Sequence, residues 1–145
     1  LNNNAVFVPP KPKELLKAVS TLWSIDSLGT KSTSNECDGL LICLGDMPFI
    51  NTSDINKLIH AYVKNRIKGK GLIVVPVFKR QRGNPVLFSI EFRNDILEHK
   101  KESGCKEVIM KNSDSVMEIE MDDEKMLLDV DTMEDYQSVS DLFVT

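Results

Sequence analysis

Aspartates that follow apolar runs are the first place where this sequence could do chemistry. In Leu44-Gly45-Asp46-Met47-Pro48, Gly45 allows a sharp turn, Asp46 offers a carboxylate and Pro48 stiffens the exit. A hard oxygen there suits Mg²⁺, which commonly binds through one or two carboxylates plus substrate phosphates. The same Gly-Asp pair also serves as an ordinary turn. A second run, Leu127-Leu128-Asp129-Val130-Asp131-Thr132-Met133-Glu134-Asp135, reads as the end of a strand over 126–130. Asp129 and Asp131 then share one face, because strand side chains alternate. Asp131 or Thr132 is also placed to cap a final helix, with Asp135 near its third position in a variant of the capping box. A third run, Arg82-Gly83-Asn84-Pro85-Val86-Leu87-Phe88, combines a planar donor fork, a residue that tolerates close backbone approach, and an amide that both donates and accepts. It suits an anionic ligand rich in heteroatoms, and it also reads as a basic hairpin loop.

Such residues need a frame, and the chain reads as alternating strands and helices. Residues 5–8 suggest a short strand. Pro9, Pro10 and Pro12 then enforce an extended turn. Leu15, Leu16, Val19, Leu22 and Trp23 recur at helical spacing, predicting a helix over 13–28 with Gly29 at its C-cap. The unbroken apolar run 39–44 predicts a central strand buried on both faces. Thr52 or Ser53 can cap a helix running to about residue 66, with Ile55, Leu58, Ile59, Tyr62 and Val63 on its buried side. Residues 72–78 predict another strand and 79–84 a polar turn. A helix near 90–101, a strand at 108–110, an alternating run at 116–121, a strand at 126–130 and a helix from Thr132 complete the pattern. Strands alternating with helices make this one α/β domain over residues 1–145, its sheet mostly parallel and covered on both faces. In such sheets ligands sit outside the carboxyl ends of the strands, where Asp46 and Asp131 fall.

Composition bounds the function. The chain of 145 residues is 41% hydrophobic and 28% charged, within the range of one globular domain. No apolar run approaches the ~20 residues of a membrane span, and the start lacks a secretory signal, so the expected location is the cytoplasm, with no membrane partner. A net charge of −4 weighs against nucleic acid as a partner. The charge is segregated, however: residues 64–82 hold seven basic side chains and no acid, whereas 112–145 hold eleven acids against Lys125. That distribution suits a phosphorylated ligand held together with a divalent cation, although a solvated surface is the commoner reason for each stretch. Cys37, Cys43 and Cys105 are scattered without a Cys-x-x-Cys pair and read as reduced structural thiols. His60 and His99 fall in predicted helices away from strand ends.

Taken together, the runs at 44–48, 82–88 and 129–135 resemble the MobA-like nucleotidyltransferases, and among them the molybdenum cofactor cytidylyltransferases more than the guanylyltransferases. The resemblance extends from about residue 38 to residue 136. It implies a three-layer, Rossmann-like fold of the GT-A-like type. It also implies transfer of CMP from CTP to the terminal phosphate of the molybdopterin cofactor, with release of pyrophosphate. By the same resemblance Asp46 and Asp131 are the catalytic carboxylates holding Mg²⁺. Gly45, Met47, Pro48, Arg82, Gly83, Asn84 and Pro85 line the substrates, with the loop at 82–85 facing the pterin. The partners implied are CTP, molybdopterin and a molybdoenzyme that receives the product. Such a transfer asks the protein for positioning and charge stabilisation, with no protein nucleophile.

Two features depart from the family pattern. Members open with a Gly-rich loop that cradles the triphosphate, whereas Gly29, Gly39, Gly45, Gly69, Gly71, Gly83 and Gly104 form no cluster. The expectation is a domain that lacks its N-terminal segment and, in this form, its activity. Met133 also stands where the family has Pro. Three other readings remain: GMP transfer by the same fold, a non-catalytic remnant that binds the cofactor, and a structural α/β domain.

Overall fold

The computed structural model describes residues 5–7, 19–22, 37–44, 47, 49–98 and 105–128, with 130, 132, 135 and 137; for 5–7 and 19–22 only the backbone is described. Seven strands form one sheet: β1 (Ala5–Phe7), β2 (Val19–Leu22), β3 (Gly39–Ile42), β4 (Ile73–Phe78), β5 (Gln81–Arg82), β6 (Val86–Ser89) and β7 (Val116–Glu120). Among these residues the helices are α1 (Thr52–Asn65), α2 (Arg93–Glu98) and α3 (Lys106–Lys111), with 3₁₀ turns at Ile90–Phe92, Ser113–Ser115 and Glu124–Leu127.

Across the sheet the order is β1-β2-β3-β6-β4, with β7 on the far side of β4 and β5 pairing the end of β4. β2 is parallel to β3, and β4 to β7. β6 is antiparallel to both β3 and β4, so β2, β3, β4 and β7 all point one way. The expectation of a mostly parallel sheet therefore holds for these four strands. It fails at β6, which returns from β4 through a hairpin and is inserted between β4 and β3, and at β1, which runs against β2.

Every residue of β3 and β6 is buried, because both faces of the sheet are covered. On one face Leu40, Ile42, Ile73, Val75, Val86 and Phe88 pack against Phe92, Ile96, Val108 and Ile109 from α2, α3 and the turn before α2. On the other, Leu41, Cys43, Val74 and Leu87 pack against Leu58, Ile59 and Tyr62 of α1, together with Met121 and Met126. This is the three-layer arrangement. Asn51 caps α1 instead of Thr52 or Ser53: its side chain accepts the Asp54 N–H (3.0 Å), and Asp54 Oδ2 accepts the Asn51 N–H (3.2 Å). At the other end of α1, the Tyr62 hydroxyl donates to the Asp38 carbonyl (2.6 Å), and Arg66 pairs with the Asp38 carboxylate (3.0 Å). Gly39 lets β6 lie close beside β3, since a Cβ there would lie 2.9 Å from the Phe88 carbonyl oxygen.

Three expected elements differ. The helix expected at 13–28 is interrupted by β2, whose Val19 and Thr21 are β-branched and whose ladders to β1 and β3 outweigh the helical spacing of its neighbours; the rest of that span lies outside the described residues. The strand expected at 108–110 is α3: Val108 and Ile109 are buried side by side while Met110 is 74% exposed, a helical face that a three-residue run cannot announce. The strand expected at 126–130 begins instead as the 3₁₀ turn Glu124–Leu127, which Asp123 caps by accepting the Lys125 N–H (3.0 Å). The premise that placed Asp129 and Asp131 on one strand face is thereby lost. The expected helix start at Thr132 is present as reciprocal bonds: Asp135 Oδ2 accepts the Thr132 N–H (2.9 Å) and hydroxyl (2.7 Å), and the Asp135 N–H donates to Thr132 Oγ1 (3.1 Å). No described helix is long and apolar enough to cross a membrane.

Candidate active site

Strand polarity brings the exit of β3, the loop after β5 and the turn after β7 to one end of the sheet. β3 ends at Ile42 and leads on through Cys43 and Leu44. Its antiparallel register with β6, Ile42 opposite Val86, sets residues 83–85 beside that exit. β7 finishes at the same end, where the Met121 N–H continues its ladder to the Val77 carbonyl (2.8 Å) and the chain turns through 122–128. The segments touch directly: the Asn84 N–H donates to the Met126 carbonyl oxygen at 3.0 Å.

A bulge makes that contact possible. Against β4, the return strand pairs Val77 with Arg82 and then Val74 with Leu87, an offset that changes by two residues across Gly83, Asn84 and Pro85. Bulges of this kind bend a strand and re-aim its side chains. The Gly83 N–H still reaches the Pro76 carbonyl (2.9 Å), and the Asn84–Pro85 bond is cis. Any Cβ on Gly83 would overlap the Met126 carbonyl oxygen and lie 2.8 Å from its carbon, so only glycine lets the loop sit this close. The half-buried Asn84 side chain has no hydrogen-bond partner among the described residues and can bond a ligand.

Arg82 is half exposed, and its Nε donates to Glu118 Oε1 at 2.7 Å; its fork is oriented by that carboxylate across β4. Beyond it the hairpin closes through Lys79 and Arg80, with φ of 48° and 68°, the left-handed conformation that two-residue primed turns demand. The Lys79 N–H donates to Glu120 (3.2 Å), and Lys57 of α1 pairs with Asp122 (3.1 Å). Lys125 bonds Asp123 through its backbone and ammonium and holds that carboxyl below its usual range.

Of the residues expected to form the site, Arg82, Gly83, Asn84 and Pro85 are brought together in one loop. Met47 is buried, 7% exposed, so any contact from it would come through its backbone. Gly45, Asp46, Pro48, Asp129 and Asp131 lie outside the described residues, as does His99. His60 is exposed on α1. Among the described residues no three His, Cys, Asp or Glu side chains cluster as metal ligands. Cys37, Cys43 and Cys105 are buried and unbridged, and burial pushes the Cys43 thiol up to about 11, which leaves it protonated at neutral pH. Sequence reasoning missed β6 and the roles of Glu118 and Met126. The only signal for β6 was three apolar residues after a proline, and Glu118 was visible only as one acid in the alternating run that became β7.

Comparison with known proteins agrees with this architecture. Residues 15–116, well over half of the chain, match the family described as the MobA-like NTP transferase domain. No curated protein matches the sequence. Among solved structures, the homologue of Mycobacterium tuberculosis Rv0371c from Mycobacterium sp. strain JC1 is 25% identical with a TM-score of 0.69, over 83% of this chain and 58% of that one. Rv0371c from M. tuberculosis H37Rv is 20% identical with a TM-score of 0.67, over 79% of this chain and 57% of that one. Its complex with manganese is 19% identical with a TM-score of 0.65, over 82% of this chain and 60% of that one. The chain thus spans less than two thirds of the length of each of these structures. With a family match over most of its length and a fold shared with these structures, the chain belongs to the MobA-like NTP transferase domain family.

Proposed function

We propose that this chain serves a cytoplasmic nucleotidyltransferase that moves CMP from CTP to the terminal phosphate of molybdopterin. The observation that carries this reading is the Asn84 N–H to Met126 carbonyl bond, which ties the loop assigned to the acceptor to the segment that leads to Asp131. In the reaction an acceptor phosphate oxygen bonds to the α-phosphorus of CTP, the α–β bridging P–O bond breaks, and pyrophosphate leaves in line. Arg82, oriented by Glu118, and the Asn84 side-chain amide, without a partner among the described residues, fit an anionic, heteroatom-rich acceptor. The product cofactor would pass to a molybdoenzyme.

Asp46 and Asp131 are hard oxygen donors of the kind Mg²⁺ takes. They are the residues that would hold the ion, and the exit of β3 and the turn after β7, which lead to them, end on the same side of the sheet. When bound, the ion spreads the charge of the phosphates. A divalent ion is in keeping with the manganese complex of Rv0371c.

The test is pyrophosphate release at saturating Mg²⁺ and molybdopterin, with CTP and GTP compared. CTP should be preferred, and Asp46→Asn should lower turnover by about 100-fold or more with the fold intact. Undiminished turnover in Asp46→Asn would remove the metal assignment, and a preference for GTP would remove the cytidylyl assignment.

A further inference from the structure

Lys79 and Arg80 join β4 to β5, and both hold a positive φ, 48° and 68°. Asn-Gly would relieve that conformation, so two long cations stand where the backbone disfavours them. Strain of this kind gathers at functional sites. The turn is fixed in place: Phe78 pairs with Gln81 at its base, the Lys79 N–H donates to Glu120, and the Lys79 ammonium lies 5.1 Å from the centre of the Phe78 ring. Arg80 is exposed and makes no hydrogen bond or ion pair among the described residues. Lys57, Arg66, Arg82, Lys111 and Lys125, by contrast, are each paired with a carboxylate.

The neighbouring loop gives this unpaired charge a use. Arg82 spends its Nε on Glu118, so an anion seated on residues 82–85 would meet a guanidinium whose charge is already balanced. Arg80 is two residues away, a span of at most ~7 Å, and no carboxylate balances it. The tip also stands past the end of the sheet. Met121, the first residue after β7, bonds the Val77 carbonyl, whereas the tip follows Phe78. We propose that Arg80 is a phosphate-binding residue: with the remaining Arg82 donors and the Asn84 amide it holds the terminal phosphate of a ligand seated on the 82–85 loop. That this ligand is the acceptor rests on the reading that the loop faces it. Arg80 supplies the net positive charge, and Arg82 and Asn84 supply oriented donors.

The test is titration of the ¹⁵N-labelled 145-residue chain with inorganic phosphate, at constant ionic strength in metal-free buffer, read by amide chemical shifts. The amides of Arg80, Arg82 and Asn84 should shift along one binding curve. Arg80→Gly should weaken that binding by about tenfold or more and raise the urea midpoint, since glycine accepts a positive φ. Lys106→Gln removes an exposed cation from the start of α3 and should bind phosphate as the wild type does. Phosphate that shifts none of the three amides, wild-type affinity in Arg80→Gly, or equal weakening in Lys106→Gln would overturn the proposal. So would a lowered urea midpoint in Arg80→Gly, which would make Arg80 a residue kept for stability. Phosphate binding as expected together with a turnover preference for GTP would uphold the site and overturn only the cytidylyl reading.

Discussion

Cys43 shows how burial at the rim of the site decides chemistry one residue at a time. It lies just past β3 with 5% of its surface exposed, and desolvation raises its thiol from 9.0 to about 11; the same cause raises Cys105 to about 12. A raised folded-state value means that the native protein holds these protons when the unfolded chain releases them. The associated stability is therefore complete below about pH 9 and is lost as pH climbs through about 11. The urea midpoint should fall over that window, and Cys43→Ala with Cys105→Ala should flatten the fall. Iodoacetamide should label neither thiol in the folded protein at about pH 8; labelling at the rate of a free thiol would contradict the burial. In the sequence, the spacing of the cysteines pointed away from a metal or disulfide frame, but did not show their protonation, which depends on what covers each face of the sheet: α1 over Cys43, and the opposite layer over Cys105. Arg82 is the converse case. Its type and position were legible, and its partner Glu118 was not, because the pair forms only once β7 lies beside β4.

The clearest element is the β4–β5 hairpin. Its turn places Lys79 and Arg80, both with side chains, at positive φ, where a non-glycine residue costs roughly 1–2 kcal/mol. Primed two-residue turns favour Asn-Gly. Lys79→Asn combined with Arg80→Gly should therefore stabilise the protein by about 1 kcal/mol in urea unfolding; an unchanged or lowered midpoint would show that the Lys79 ammonium contact with the Phe78 ring outweighs the strain. Elements carried by a clear run or period were the legible ones. α1 and β3 follow from unbroken patterns, and β4 and β7 from apolar or alternating runs. Two other elements were not legible. β6 has four residues, and α3 has two buried apolar residues in six; each takes its form from the layer it packs against, which a local pattern does not contain. β2 shows the same limit from the other side, since helical spacing was present and the ladder to β3 prevailed.

At the scale of the whole molecule, the informative fact is direction. β2, β3, β4 and β7 share one polarity, and the β6 insertion turns the start of the return strand toward the same end. Segments separated by dozens of residues, 43–44, 82–85 and 121–128, are thus brought to a common rim, as ligand sites of open α/β sheets are. The sequence displayed the three runs in order; their convergence depends on strand order, which no single run encodes. Asp46 and Asp131 themselves lie outside the described residues, so the central claim concerns what their flanking segments do together. The direct measurement is Mn²⁺ titration of the ¹⁵N-labelled chain, read as paramagnetic broadening of backbone amides. One divalent site at the common rim predicts that the amides of Leu44, Asn84 and Leu128 broaden together at low Mn²⁺, and that Asp46→Asn abolishes the effect. Broadening centred on the exposed acids Asp122 and Glu124, or unchanged in Asp46→Asn, would contradict it.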